Sequence, residues 1–240
     1  MKILVISILA GAATGLGAVL VLLFGKPTKT LMSVVLGFAA GIMLSISAFD
    51  LLPEALTLGG MTWTVIGFLL GATLMFGLDS LVPHIHIGEG KADVRGDKQM
   101  LKVGYFIFLG IALHNLPEGL AIGAGFSASQ GLGTAIAIAL ALHNVPEGMA
   151  TAAPLLMGGL GKLRVVGLTT LAGLMTPIGT LIGLVLINLS EAFISIALAL
   201  AAGAMVYIVS DELIPESHKY HSHLANAGLL TGFLVGMIIS

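Results

Sequence analysis

The sequence predicts an all-α integral membrane protein with eight transmembrane helices: helices 1–3 and 6–8 form an inverted repeat around a central pair, helices 4 and 5. Three observations predict this fold class. Of the 240 residues, 57% are hydrophobic and only 9% are charged, far below the roughly 25% charged residues of soluble domains. The uncharged stretches have the length of membrane-spanning helices, and two pairs of these stretches repeat one another. The whole chain, residues 1–240, is therefore predicted to be a single transmembrane domain.

Eight stretches are long enough to cross a bilayer. A hydrocarbon core of about 30 Å needs about 20 apolar residues in a helix. The eight stretches, which we call spans 1 to 8, are residues 3–24, 31–52, 61–82, 103–126, 132–157, 164–188, 192–213 and 224–239. The 33 glycines suit membrane helices that pack closely through small residues. These helices permit a homodimer without requiring one.

Span 1 has some features of a signal peptide. It follows Lys2 and contains the small residues 10–12, which resemble a cleavage site. Its apolar run continues to Phe24, however, beyond the about 7–15 residues of a signal-peptide apolar region. We therefore interpret span 1 as a membrane helix.

The positive charges indicate how the spans are oriented. Nine of the ten Lys and Arg residues lie between spans 1 and 2, 3 and 4, 5 and 6, or 7 and 8, counting Arg164 at the start of span 6, and only Lys2 lies elsewhere. Because Lys and Arg near membrane helices favour the cytoplasmic side, both termini are predicted to lie outside. The longest of these loops, residues 83–102, is then cytoplasmic. The net charge of -2, without a dense basic cluster, gives no indication of nucleic-acid binding.

Spans 2 and 7 repeat one another. Residues 39–56, AAGIMLSISAFDLLPEAL, match residues 201–218, AAGAMVYIVSDELIPESH, without a gap. We call this alignment, in which position 39 corresponds to position 201, the repeat register. In the predicted topology span 2 crosses outward and span 7 crosses inward. The two copies therefore have opposite orientations, a pattern typical of inverted repeats in membrane proteins.

Spans 4 and 5 carry a second repeated motif. HNLPEGL at residues 114–120 returns as HNVPEGM at residues 143–149. The His and Glu of each copy are four residues apart, so they lie on one helix face about one turn apart. Each motif begins roughly 18 Å along its helix, near the middle of a core of about 30 Å. The four side chains are predicted to meet at one depth: His114, Glu118, His143 and Glu147.

These four groups suit a divalent cation. A carboxylate at the bilayer centre costs at least about 2.5–3.5 kcal/mol on insertion scales, and a divalent ion neutralises two of them. Two imidazoles and two carboxylates suit Zn²⁺ and tolerate Fe²⁺, Mn²⁺ and Cd²⁺. The chain has no cysteine, which excludes thiolate ligands. Asn115 and Asn144 add neutral oxygen ligands beside the site. A proton relay and an internally hydrogen-bonded pair are the alternatives.

Proline and glycine within each motif have a structural meaning. Pro117 and Pro146 lack the N–H that the carbonyl four residues earlier would accept. Gly119 and Gly148, which follow the glutamates, leave space for another backbone to approach.

Further polar residues lie outside the motifs. Carboxylates at the ends of spans 2 and 7 are candidates for a cation pathway, and ordinary interfacial carboxylates are the alternative: Asp50, Glu54, Asp211, Glu212 and Glu216. Histidines on the predicted cytoplasmic side are candidates for weak metal binding, and ordinary loop histidines are the alternative: His84, His86, His218, His221 and His223.

The paired HNxPEG motifs resemble those of the ZIP family of divalent metal transporters, in particular its bacterial GufA-like branch. The segments AGIMLSISAFDLLPEAL, LDSLVPHIH and DELIPES are similar to that branch as well, and the resemblance covers nearly the whole chain. It implies uptake of zinc or similar divalent ions into the cytoplasm across the inner (plasma) membrane. It also implies metal ligation by the four His and Glu residues, with Asn115 and Asn144 at an adjoining site.

The sequence departs from the family pattern in span 6. Many members carry Glu-Pro where this chain has Thr176-Pro177, and a hydroxyl is a much poorer ligand than a carboxylate. We therefore predict one tight metal position, with a weaker second position at most.

The main alternative function is an intramembrane zinc hydrolase. Such an enzyme needs an open coordination position and a separate general base, whereas both glutamates here are needed as ligands. The sequence also has no GxxxxGK[ST] motif for ATP, so transport is expected to use ion gradients or voltage. The prediction is a transporter and not an enzyme.

Overall fold

A computed structural model describes residues 2–25, 28–81, 96–186, 190–219 and 221–240. Within these ranges the regular structure is helical throughout, which agrees with the predicted all-α class. The α-helices of the described residues are α1 (Lys2–Phe24), α2 (Lys29–Ile46), α3 (Leu52–Leu81), α4 (Gly96–Ala128), α5 (Gln130–Met157), α6 (Lys162–Gly173), α7 (Met175–Leu186), α8 (Glu191–Ile208), α9 (Ile214–His218) and α10 (Ser222–Ile239).

Six helical segments of the described chain are long and apolar enough to cross a membrane: Lys2–Phe24, Lys29–Leu78, Ile107–Ala128, Lys162–Val185, Glu191–His218 and Ser222–Ile239. The chain is thus a multi-pass membrane protein, whereas the count of eight crossings stays a prediction. Two of the predicted spans fall within the single run Lys29–Leu78, which is broken at Gly60 by a φ of 70°. Helix α5, which has 28 residues, is not among these six segments.

The structure adds detail to two predicted elements. Helix α4 begins at Gly96, so residues 96–102 of the loop predicted over 83–102 are helical, whereas the apolar segment long enough to cross a membrane begins at Ile107. Span 6 is two helices, α6 and α7, separated at Leu174. Pro177 explains the break, because it has no N–H for the carbonyl of Gly173, four residues earlier.

Two π-helical turns occupy matching places in the repeated segments. Ser47–Leu51 joins α2 to α3, and Val209–Leu213 joins α8 to α9, and the repeat register places one turn on the other. Each turn lies just before a proline, Pro53 or Pro215. Because proline cannot donate to the carbonyl four residues earlier, the backbone shifts to the wider pairing, in which each N–H bonds five residues back.

The helices pack as two groups. In one, which we call the outer group, α3 packs along α8 and α2 along α10. In the other, the site group, α1 packs along α5 and α4 along both α5 and α7, while α6 lies against α1. The groups meet where α2 contacts α5 and α8 contacts α4. Helices α4 and α5, which carry the HNxPEG motifs, therefore lie at the centre of the molecule.

Candidate metal site

Four side chains from α4 and α5 converge in the interior. His114 Nε2 lies 2.8 Å from Glu147 Oε1, and His143 Nε2 lies 2.8 Å from Glu118 Oε1. The contacts within each helix are longer, at 3.4 Å for His114–Glu118 and 3.6 Å for His143–Glu147. One ligand atom from each of the four residues lies within 4.8 Å of all the others. Each histidine is therefore closer to the glutamate of the other helix than to its own.

Burial makes this cluster unusual. The four side chains are at most 3% exposed. Several of their atoms have no hydrogen-bond partner among the residues that the structure describes: His143 Nδ1, Glu118 Oε2 and both carboxylate oxygens of Glu147. Polar atoms without partners are costly where water is absent. Two imidazole nitrogens and two carboxylates within this distance suit a four-coordinate zinc ion, which would neutralise both carboxylates.

Glycines next to the site allow the close packing that places it. A side chain at Gly119 would collide with the carbonyl oxygen of Thr176, and one at Gly148 with the carbonyl oxygen of Thr14. The predicted close approach of another backbone at these two glycines is therefore confirmed. As a result, α7 lies directly against α4 behind Glu118, and α1 lies directly against α5 behind Glu147.

The two asparagines form hydrogen bonds that join α4 to α6 and α5 to α1. Asn115 Nδ2 donates to the carbonyl of Ala172 at 3.0 Å, and Asn144 Nδ2 donates to the carbonyl of Ala10 at 2.9 Å. Both side chains are fully buried, and neither Oδ1 has a hydrogen-bond partner in the described part of the chain. The sequence indicated only the oxygens as ligands and missed the donor role. Metal ligation by these oxygens stays a prediction.

Buried hydroxyls near the site were mostly missed by sequence reasoning. Thr14 and Thr176 are fully buried, and within the described ranges their Oγ1 atoms have no hydrogen-bond partner. Sequence reasoning noted only Thr176. The signal that could have found Thr14 is the repeat register, in which it corresponds to Thr176. Ser7 and Thr180 are also fully buried, and they bond to each other.

The five predicted pathway carboxylates lie outside the cluster of four. Asp50 is 7% exposed and its Oδ2 accepts a hydrogen bond from Ser240 Oγ at 2.7 Å, whereas Glu54 is half-buried. Asp211 and Glu212 are exposed, and Glu216 forms an ion pair of 3.4 Å with Lys219. Their role in a pathway stays a prediction.

The predicted cytoplasmic histidines do not form a preformed metal cluster in the part of the chain that the structure describes, where the only group of three or more metal-binding side chains is the cluster of four. His218 has both ring nitrogens engaged, Nε2 with Asn226 Oδ1 at 2.8 Å and Nδ1 with the Ile214 carbonyl at 2.9 Å. His221 and His223 are exposed. His84 and His86 lie outside the described residues.

The chain is similar to known proteins along nearly its whole length. A family model described as ZIP zinc transporter matches residues 86–240. The zinc transporter ZupT of Chlorobium luteolum is 37% identical over 97% of this chain and 94% of the relative. The zinc transporter GufA of Myxococcus xanthus is 34% identical over 98% of this chain and 96% of the relative. The zinc transporter ZupT of Escherichia fergusonii is 37% identical over 97% of this chain and 93% of the relative.

Proposed function

The chain belongs to the ZIP zinc transporter family, and on this premise we propose that it imports Zn²⁺ into the cytoplasm through the buried cluster of His114, Glu118, His143 and Glu147. The observation that carries the proposal is the convergence of these ligand groups, within 4.8 Å of one another, on the two central helices. The family consists of transporters and not enzymes. The alternative of a zinc hydrolase has no support. Such an enzyme needs a separate general base, but both carboxylates of the cluster lie against the histidines.

The direction of transport follows from charge. The membrane potential contributes about 2.3 kcal/mol per elementary charge per 100 mV, so a divalent ion entering a negative interior gains about twice that. Fe²⁺, Mn²⁺ and Cd²⁺ are the further substrates that this ligand set accepts, because ligand type defines a class of metals and not one metal.

Zinc uptake into proteoliposomes tests this function. With an inside-negative potential and a zinc indicator in the lumen, we expect protein-dependent uptake that excess Cd²⁺, Fe²⁺ or Mn²⁺ reduces in order of affinity. The control is Glu191→Gln, which removes an exposed carboxylate at the start of α8, far along the chain from the motifs, and should leave uptake unchanged. Uptake no faster than in protein-free liposomes would contradict the proposal.

For the topology, the proposal is eight crossings with both termini outside the cytoplasm, in the plasma (inner) membrane. An inverted repeat of spans 1–3 and 6–8 is supported by matching contacts in the repeat register. Ala10 and Ala172 correspond in this register, and each accepts from the asparagine of one HNxPEG copy. The two π turns correspond in the same register.

Transport itself is proposed to occur by alternating access, in which the site group moves against the outer group and exposes the metal site to each side in turn. The packing supports this division. The buried hydrogen bonds of Asn115, Asn144 and Thr180 join helices of the site group, and that of Ser195 joins α8 to α3 of the outer group.

Single-cysteine labelling tests topology and movement in this naturally cysteine-free chain. We expect Ser129→Cys to react with an impermeant maleimide from outside, and Gly161→Cys only from inside. Zinc should change the labelling rates of Ser127→Cys, at the outer end of α4, and Leu156→Cys, at the inner end of α5, in opposite directions. Labelling of Ser129→Cys and Gly161→Cys from the same side of the membrane would refute the topology. If zinc changes the labelling rate of neither Ser127→Cys nor Leu156→Cys, alternating access would be refuted.

A further inference from the structure

A chain of buried hydroxyls joins three helices directly behind Glu118. Ser7 Oγ of α1 lies 2.6 Å from Thr180 Oγ1 of α7. Thr180 Oγ1 in turn lies 3.0 Å from the carbonyl of Gly119, the residue after Glu118, and 3.1 Å from the carbonyl of Thr176. A carbonyl only accepts, so Thr180 donates its single proton there and Ser7 donates to Thr180. We call this arrangement the hydroxyl brace.

The other half of the molecule lacks this brace. In the repeat register, Ser7 corresponds to Thr169 and Thr180 corresponds to Ala18. Thr169 donates to the carbonyl of Val165 in its own helix at 2.9 Å, and Ala18 has no hydroxyl to offer the backbone behind Glu147. The asparagine bonds, by contrast, are equivalent in the two halves. The hydroxyls therefore differ between the two halves, whereas the asparagine bonds do not.

The metal site shows the same asymmetry. Both cross-helix contacts measure 2.8 Å, but only His143–Glu118 has the geometry of a hydrogen bond. Neither carboxylate oxygen of Glu147 has a hydrogen-bond partner among the described residues, whereas Oε1 of Glu118 bonds with His143. Glu118 is thus held both at its carboxylate and through the backbone that follows it.

We propose that the two glutamates have different roles in transport: the hydroxyl brace makes Glu118 the fixed ligand, which stays with the ion, and Glu147 is the ligand that turns away to release it. This inference rests on the proposed function. Shifting α4 against α7 at Gly119 would break the bond from Thr180 to the Gly119 carbonyl and leave Thr180 only its bond within α7 to Thr176, and a hydrogen bond lost in a dry interior is unfavourable. No hydroxyl bond of this kind joins α1 to α5 at Gly148, because position 18 is an alanine. Ser7 and Thr180 are positioning residues, since they act on the ion through Glu118.

Removing the brace tests the role of its hydroxyls. In Thr180→Val, which keeps the side-chain shape, we expect zinc affinity in detergent to fall about fivefold, the factor that corresponds to about 1 kcal/mol for one hydrogen bond. The KM for uptake should rise by a similar factor while Vmax does not fall. Thr180→Ser keeps the hydroxyl and should behave as the parent. Thr169→Val removes an equally buried hydroxyl that bonds only within its own helix, and should also match the parent.

Two further variants test the assignment of roles. Shortening the fixed ligand, in Glu118→Asp, should weaken zinc binding more than Glu147→Asp does. Ala18→Ser offers a hydroxyl to the backbone behind Glu147 and should lower Vmax without raising KM. The reverse order of the two aspartate variants, or Ala18→Ser with the Vmax of the parent, would overturn the assignment.

The outcomes separate this inference from the proposed function. If the parent protein imports zinc and Thr180→Val has the same zinc affinity as Thr180→Ser, the brace has no role and only the inference fails. If the parent imports no zinc, the proposed function fails. If Thr180→Val loses its thermal transition, Ser7→Ala decides in its place, because it removes the donor that holds the Thr180 hydroxyl in position. A zinc affinity of Ser7→Ala equal to the parent would then reject the brace.

Discussion

Glu118→Ala and His143→Ala should each reduce zinc uptake into proteoliposomes to the level of protein-free liposomes. Each variant removes one of the four proposed ligands and leaves its buried partner at 2.8 Å without a counterpart. Even loss of a group that only supports a metal ligand lowers affinity about 10–100-fold, so loss of a ligand should cost at least about 100-fold. Equilibrium dialysis in detergent measures this directly.

The parent protein supplies the reference for this experiment. We expect one tightly bound zinc per chain, because Thr176 offers a hydroxyl where a carboxylate would be needed for a second strong position. Glu191→Gln is the control, since it removes a carboxylate that is exposed and outside the cluster. Uptake that persists unchanged in both site variants would remove the assignment of the site. Two ions bound with equal affinity to the parent would contradict the single tight position.

Gly119→Ala should destabilise the protein and weaken zinc binding together. The added methyl group would meet the carbonyl oxygen of Thr176, a backbone atom that cannot move aside without shifting α7. Overpacking of this kind typically costs about 1–3 kcal/mol, and here it separates α4 from α7 beside Glu118. Thermal unfolding in detergent and zinc titration measure the two effects.

Gly110→Ala is the matched control on the same helix. A methyl group at Gly110 would have no neighbour within 4 Å, and alanine favours a helix by about 1 kcal/mol over glycine. This variant should therefore be as stable as the parent or slightly more stable, with unchanged zinc affinity. Equal unfolding temperatures for Gly119→Ala and the parent would show that the close contact of α4 and α7 does not matter.

The four-residue spacing explains why the cluster could be anticipated from sequence. It places His114 above Glu118 on one helix face whatever the tertiary structure, and the copy at His143 and Glu147 does the same on the next helix. Two adjacent helices with buried polar faces have few ways to satisfy them except by turning these faces toward each other. The glycines after the glutamates also carried information in the sequence. Glycine disfavours a helix, so its presence there indicated that another backbone needs the space.

Other features depend on contacts between distant residues and have no local signature. A buried serine such as Ser7 looks in sequence like any other serine in a membrane helix, and its partner Thr180 lies 173 residues away. The donor role of Asn115 likewise depends on which carbonyl of α6 comes within reach. The break at Leu174 had a local cause in Pro177, but prolines also occur within continuous helices such as α4 and α5, so the sequence alone did not distinguish these cases.

The π turns change how residues on either side of them relate in space. A residue added within a helix rotates everything after it by about 100° about the axis, so a helical wheel drawn straight through residues 39–56 or 201–218 assigns the wrong azimuth to Glu54 and Glu216. The residues before and after each π turn therefore have to be plotted on separate helical wheels. Scanning mutagenesis of these two segments should show a functional periodicity whose phase jumps at Ser47–Leu51 and again at Val209–Leu213.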